Sequence, residues 1–177
     1  MGPNEAKSLL PQPVEPSTGP AARFEIEALG WRWYEDLEIG HRRRCGAFAL
    51  SAEEIGVFVR KFGPGLGAGG CASSGDRICA CLGHAFAVTI GIFSRANVGC
   101  EIIAGIEIGA IDLHAPIAAA APMTVFVTWI DKRASRSNPN RGLARWLLET
   151  VDADDRPALT TTATVLVRRH RRRGRPD

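Results

Sequence analysis

The sequence predicts an α+β domain in which an antiparallel sheet wraps one long helix. Three observations carry this. The run from Ile78 to Phe93 is apolar almost throughout and too long for a strand, so it reads as a helix. From Glu101 onward the pattern changes to β-branched and apolar segments with a period of two, divided by polar turn-forming stretches. The resulting order, one strand, then helices, then four strands, lacks the regular alternation that builds a parallel sheet.

Residues 1–22 are rich in Pro, Ala, Ser and Glu and offer no apolar face that could offset the entropy of ordering them, so they read as a flexible arm. The domain spans 23–170, and 171–177 form an Arg-rich tail. Trp31, Trp33 and Tyr34 lead into YEDLEIG, and HRRRCGAFAL supplies a strand near 42–50. Ser51 and Glu54 have the spacing of a capping box, and Ile55, Phe58, Val59 and Phe62 follow one face of an amphipathic helix. Gly63 before Pro64 ends that helix, because proline pushes its predecessor out of the α region. Residues 65–75 are loop, Asp76 is the expected N-cap of the second helix, and that helix runs from Arg77 to Ala96.

The second helix is apolar nearly all round, which predicts burial on every side. A membrane span is the rival reading, but the apolar run falls short of about 18 residues and contains His84. Four strands follow near 101–114, 122–133, 142–153 and 158–170. In the second of these Val125, Val127 and Trp129 alternate against Thr124, Phe126 and Thr128.

Composition narrows the function classes. A chain of 177 residues fits one domain with a sizeable core, and its net charge is only +3. The excess sits in the tail, so a whole-surface basic patch for nucleic acid is not indicated. Phosphates of coenzyme A, anionic lipid or RNA could use the tail, and a solvated terminus is the plainer reading. Five cysteines without an apolar leader point to reduced thiols and a cytoplasmic location. Gly2 does not signal myristoylation, since Ala6 stands where a hydroxyl residue is required.

Individual motifs are weak. Gly65 to Gly70 satisfies G-x-G-x-x-G but follows a helix, outside any βαβ unit, so a dinucleotide site is not expected. Cys79-x-Cys81 has the wrong spacing for a zinc or redox pair, and no metal is expected. Cys81 lies three residues before His84, yet a buried thiol is normally inert. Asp112 and His114 share a strand face and read as an exposed polar edge. His84, on an apolar helix, is a structural histidine or a candidate base.

Three phrases carry a more specific signal: WYEDLEIGHRRRCGAFALSAEEIGVFVRKF, GDRICACLGHAFAVTIGIF and DKRASRSNPNRGLARW. Over residues 31–170 the chain resembles the MaoC-like dehydratases, the (R)-specific enoyl-CoA hydratases. The resemblance implies a hotdog fold, a homo- or heterodimer, and an acyl-CoA thioester as substrate or ligand with no further cofactor. It also implies an Asp and a His, spaced D-x4-H after the short helix, that activate water and protonate the α-carbon. Here those positions are Gly63 and Ala68, which cannot move a proton. The amides at Leu82, Gly83 and His84, at the start of the long helix, would still receive a thioester oxyanion. AAAAPM at 118–123 departs from the family's G-D turn. The resemblance therefore implies a degenerate subunit that binds acyl thioester or pairs with a catalytic partner. The alternative is a hydro-lyase with its base relocated to a group such as His84. A purely structural partner without a ligand is the third possibility.

Overall fold

In the computed structural model, residues 23–63 and 77–170 are described. Eight strands and two α-helices account for most of them: β1 (Arg23–Ile26), β2 (Arg42–Ala49), α1 (Ala52–Phe62), β3 (Cys79–Ala80), α2 (Leu82–Ala96), β4 (Ile102–Leu113), β5 (Ile117–Ala118), β6 (Met123–Ala134), β7 (Arg141–Val151) and β8 (Pro157–Arg168). The large sheet has the order β1-β2-β6-β7-β8-β4, and every pairing in it is antiparallel. The five long strands lie where the alternation places them. Val125, Val127 and Trp129 are fully buried on β6, while Thr124, Phe126 and Thr128 are half-buried on its other face.

The first helix begins as its sequence predicts. Ser51 accepts a hydrogen bond from the Glu54 amide (3.1 Å), and Glu54 accepts one from the Ser51 amide (2.8 Å). Gly63 closes the helix, its amide donating to the Val59 carbonyl at 2.8 Å. The predicted apolar face is only partly used: Ile55 is buried, but Phe62 is 68% exposed.

The second helix differs from expectation in two ways. It starts at Leu82 rather than Arg77, and its N-cap is Cys81, whose thiol makes no capping bond. The reason is tertiary: Cys79 and Ala80 are drawn into a ribbon with Ala118 and Ile117. Asp76, the expected cap, lies outside the described residues. Nor is α2 buried on all sides. Ala85, Thr89, Ile92, Phe93 and Ala96 form one buried face, whereas Leu82, Gly83 and Ala87 are exposed. One curled sheet can cover only one side of a helix, so an all-round apolar helix in a single copy leaves a face open.

The core lies between that face and the sheet. α2 packs on β1, β2 and β6, and its side chains Phe93 and Thr89 reach β7. The Phe93 ring sits 5.2 Å from Trp146, and the Thr89 and Thr150 hydroxyls hydrogen-bond at 2.7 Å, both wholly buried. Thr89 also donates to the Ala85 carbonyl (2.9 Å). α2 therefore runs antiparallel to β7, with its N-terminus beyond the Thr150 end.

Near the domain entry, Asp36 accepts from the amides of Trp33 (2.8 Å) and Arg32 (3.1 Å) and closes a turn of 3₁₀ helix at Tyr34–Asp36. Lys132 donates to the Leu37 carbonyl (2.6 Å), tying that turn to β6. Among the described residues, no helix is long and apolar enough to cross a membrane.

Candidate functional site

The site predicted at the start of α2 is built from three elements. The first-turn amides of a helix have no intrahelical acceptor, and the Cys81 side chain caps none of those at Leu82, Gly83 and His84. The first described intrahelical bond is from the Ala85 amide to the Cys81 carbonyl (3.0 Å). Leu82 and Gly83 are exposed, and a Cβ added at Gly83 would meet nothing within 4 Å. Among the described residues the helix start is thus unobstructed, and it is electropositive by its peptide dipoles.

His84 takes the opposite environment. It is buried, and its ring stacks on Phe58 of α1 at 4.4 Å with the planes parallel to within 1°. Phe62 continues the aromatic row, 4.9 Å from Phe58. Burial lowers the His84 pKa from its ordinary value, against a smaller opposing pull from the Glu54 carboxylate. Its Nδ1 is buried without a hydrogen-bond partner among the described residues. A neutral imidazole with one unpaired nitrogen is the state this environment favours.

The third element was not foreseen. The β3–β5 ribbon borders an open groove of about 530 Å³ lined by Arg77, Ile78 and Ala118 to Ala121. Ala119 donates to the Ile78 carbonyl (2.8 Å) and Ala120 to the Leu50 carbonyl (2.7 Å), so this stretch bridges the starts of both helices. Ala120 pays for the bridge with a left-handed backbone, φ 62°. Strands of two residues carry no readable period, and the alanine run offers no side-chain signal.

The remaining sequence candidates separate. Gly63 is buried at the C-cap of α1, where its amide is already used. Ala68, the other position of the D-x4-H pair, lies outside the described residues, as do Cys71 and the glycine-rich stretch. Cys81 is buried and makes no described bond to His84. His114 is exposed and its Nε2 meets the Thr160 hydroxyl at 2.7 Å, with Asp112 alongside in register with Thr160. Among the described residues no cluster of three or more metal-ligating side chains forms. Burial pushes the thiols of Cys45 and Cys100 up to about 12 and about 11, away from nucleophilic use.

No protein-family model matches the chain, and no curated protein matches it in sequence. Solved structures do. A MaoC-like dehydratase from Rhodospirillum rubrum superposes with a TM-score of 0.67 at 20% identity, over 79% of this chain and 99% of the other. An (R)-hydratase from Pseudomonas aeruginosa gives 0.59 at 11% identity, over 89% and 97%. A Mycobacterium tuberculosis protein described as a double hotdog gives 0.63 at 19%, over 84% of this chain and 47% of the other. The chain has the fold of these proteins: the hotdog, with α2 as the wrapped helix.

Proposed function

We propose that this hotdog chain binds an acyl-coenzyme A thioester at the start of α2 and serves as a non-catalytic subunit of a hotdog assembly. The observation that carries the reading is Gly63. Where the resembled family places the acid of its catalytic pair, this chain has a side-chain-less residue whose amide closes a helix. Ala68, where the histidine belongs, has no ionisable group either. Without a positioned base, water is not activated.

Binding needs less than catalysis. The unobstructed amides of Leu82 and Gly83 suit a thioester carbonyl, because backbone donors work whatever the side chain. The groove beside β3 and β5 has apolar alanine walls and one cation, Arg77, which suit an acyl or pantetheine segment with a charged end. Coenzyme A enters this reading only as part of the ligand.

The second reading is an active hydro-lyase on 2-enoyl-CoA or 3-hydroxyacyl-CoA with His84 as base. The unpartnered Nδ1 of a neutral imidazole beside the helix start favours it. One experiment separates the two: crotonyl-CoA binding by calorimetry, with hydration followed in parallel. Saturable binding without turnover is the expected result. Losing one positioned acid or base costs about 10²–10⁴ in rate, and a pair acting as a unit does not lose additively. An ordinary enzymatic rate that His84→Ala abolishes would replace the first reading with the second.

A further inference from the structure

At the far end of β7 from the α2 N-terminus lies a cavity of about 470 Å³, where the β6–β7 hairpin meets the end of β8. Trp33, Asn138, Asn140, Arg141, Arg168 and Arg169 line it, with His170 at its edge. DKRASRSNPNRGLARW, the phrase that propensity alone does not explain, contributes the hairpin side.

The cations here are unequally used. Arg168 pairs through Nε with Glu101 (3.2 Å), and Arg169 through Nε with Glu35 (2.8 Å). Glu35 also accepts from the His170 amide (2.9 Å). These pairs hold the two guanidiniums in place through Nε, and that of Arg169 also lies 5.5 Å over the Tyr34 ring. Among the described residues Arg141 has no side-chain partner: its Nε is buried and unsatisfied, and no described carboxylate neutralises it. Among the described residues three arginines thus face two carboxylates, and the odd one is half-buried.

A half-buried guanidinium without an acceptor is costly unless something supplies one. The hairpin is otherwise well made. Asn138 accepts from the Asn140 amide (2.9 Å), and Asn140 accepts from the Arg169 amide (2.9 Å), so the loop is braced on β8. The Asn140 side-chain amide remains as a further donor toward the cavity.

We propose that this cavity is an anion site for a phosphate monoester, with Arg141 as its principal ligand. A dianion with three acceptor oxygens matches several guanidinium forks better than a single carboxylate does. Trp33 supplies an aromatic wall for whatever the phosphoryl group is attached to. The site lies at the other end of β7 from the α2 start and does not rest on the acyl-thioester reading.

The test is calorimetric titration of the full chain with inorganic phosphate and, separately, with adenosine 3′-phosphate, at fixed ionic strength against a chloride control. Saturable one-to-one binding of either probe is expected, tighter for the nucleotide if the indole wall is engaged. Arg141→Gln should weaken it at least about tenfold, the effect of removing a charge-assisted hydrogen bond. Exchanging Arg171, Arg172 and Arg173 for Gln should change it less than about twofold. If Arg141→Gln does not fold, Asn140→Ala serves instead, with about a threefold to tenfold loss expected. Failure of both probes to saturate, or loss of binding in the tail variant with Arg141 intact, would overturn the proposal.

Discussion

His84 joins two packing facts that pull in different directions: its ring seals α1 onto α2, and its Nδ1 has no partner. Burial holds its folded pKa below the unfolded value of about 6.5. The unfolded chain therefore binds more protons near and below that pH, so stability rises with pH through this window. The contribution is complete above about 6.5 and is lost as pH falls through the lower, folded pKa. His84→Phe, which keeps the stack, should flatten the pH dependence of urea unfolding between roughly pH 7 and 5. A dependence unchanged in the variant would mean that another group is responsible. Beside it, Gly83 has open space above its Cα. Gly83→Ala should fold at least as well, gaining up to about 1 kcal/mol in helix propensity. Gly83→Leu should fold too but weaken acyl-CoA binding tenfold or more by covering the helix start. Equal binding by all three would move the ligand elsewhere. His84 was legible as a candidate from its place on an apolar helix, and Gly83 only through the family resemblance. The unpaired Nδ1 was not, because it depends on what α1 brings to the other side.

At the scale of elements, the helix-to-sheet joint turns on the Thr89 and Thr150 hydroxyls. They are not equivalent. Thr89 has a second acceptor in the Ala85 carbonyl, whereas no other partner is described for Thr150. Thr89→Val should therefore cost more, about 1–3 kcal/mol from an orphaned buried hydroxyl, than Thr150→Val at about 0.5–1.5 kcal/mol. The double substitution should cost less than the sum, since no hydroxyl is left stranded. Urea unfolding of the three variants decides it, and strict additivity would remove the pair from the account. The same scale explains where sequence reading worked. Ser51 and Glu54 specify the start of α1 by local hydrogen bonds, and a capping box needs nothing from the rest of the fold. The start of α2 could not be read that way. Cys79 and Ala80 are short and apolar enough for helix or strand, and only the distant pairing with Ile117 and Ala118 selects strand.

For the whole molecule, the longer of the two edge strands of the large sheet is β4. It spans twelve residues, pairs only with β8, and exposes Ile103, Ile106, Ile108 and Leu113, at 46%, 55%, 62% and 37%. A long apolar edge calls for cover. If a second copy of the chain supplies that cover by pairing along β4, the chain is a dimer. Ile106→Lys with Ile108→Lys should convert a dimer to a monomer in sedimentation at micromolar concentration while leaving the far-ultraviolet spectrum unchanged. A wild-type chain that is already monomeric would count against the dimer.

The amino-acid sequence by itself determined the five long strands, the first helix with its cap, and the absence of ionisable side chains at Gly63 and Ala68. Each of these depends on local periodicity, a short-range hydrogen bond or the identity of one side chain. Tertiary structure alone decided which face of α2 is covered, where that helix begins, and that Arg141 stands without a carboxylate among the described residues. Those outcomes depend on contacts between residues far apart in the chain, and a sheet that curls over one side of a helix leaves no trace of its choice in the helix's own sequence.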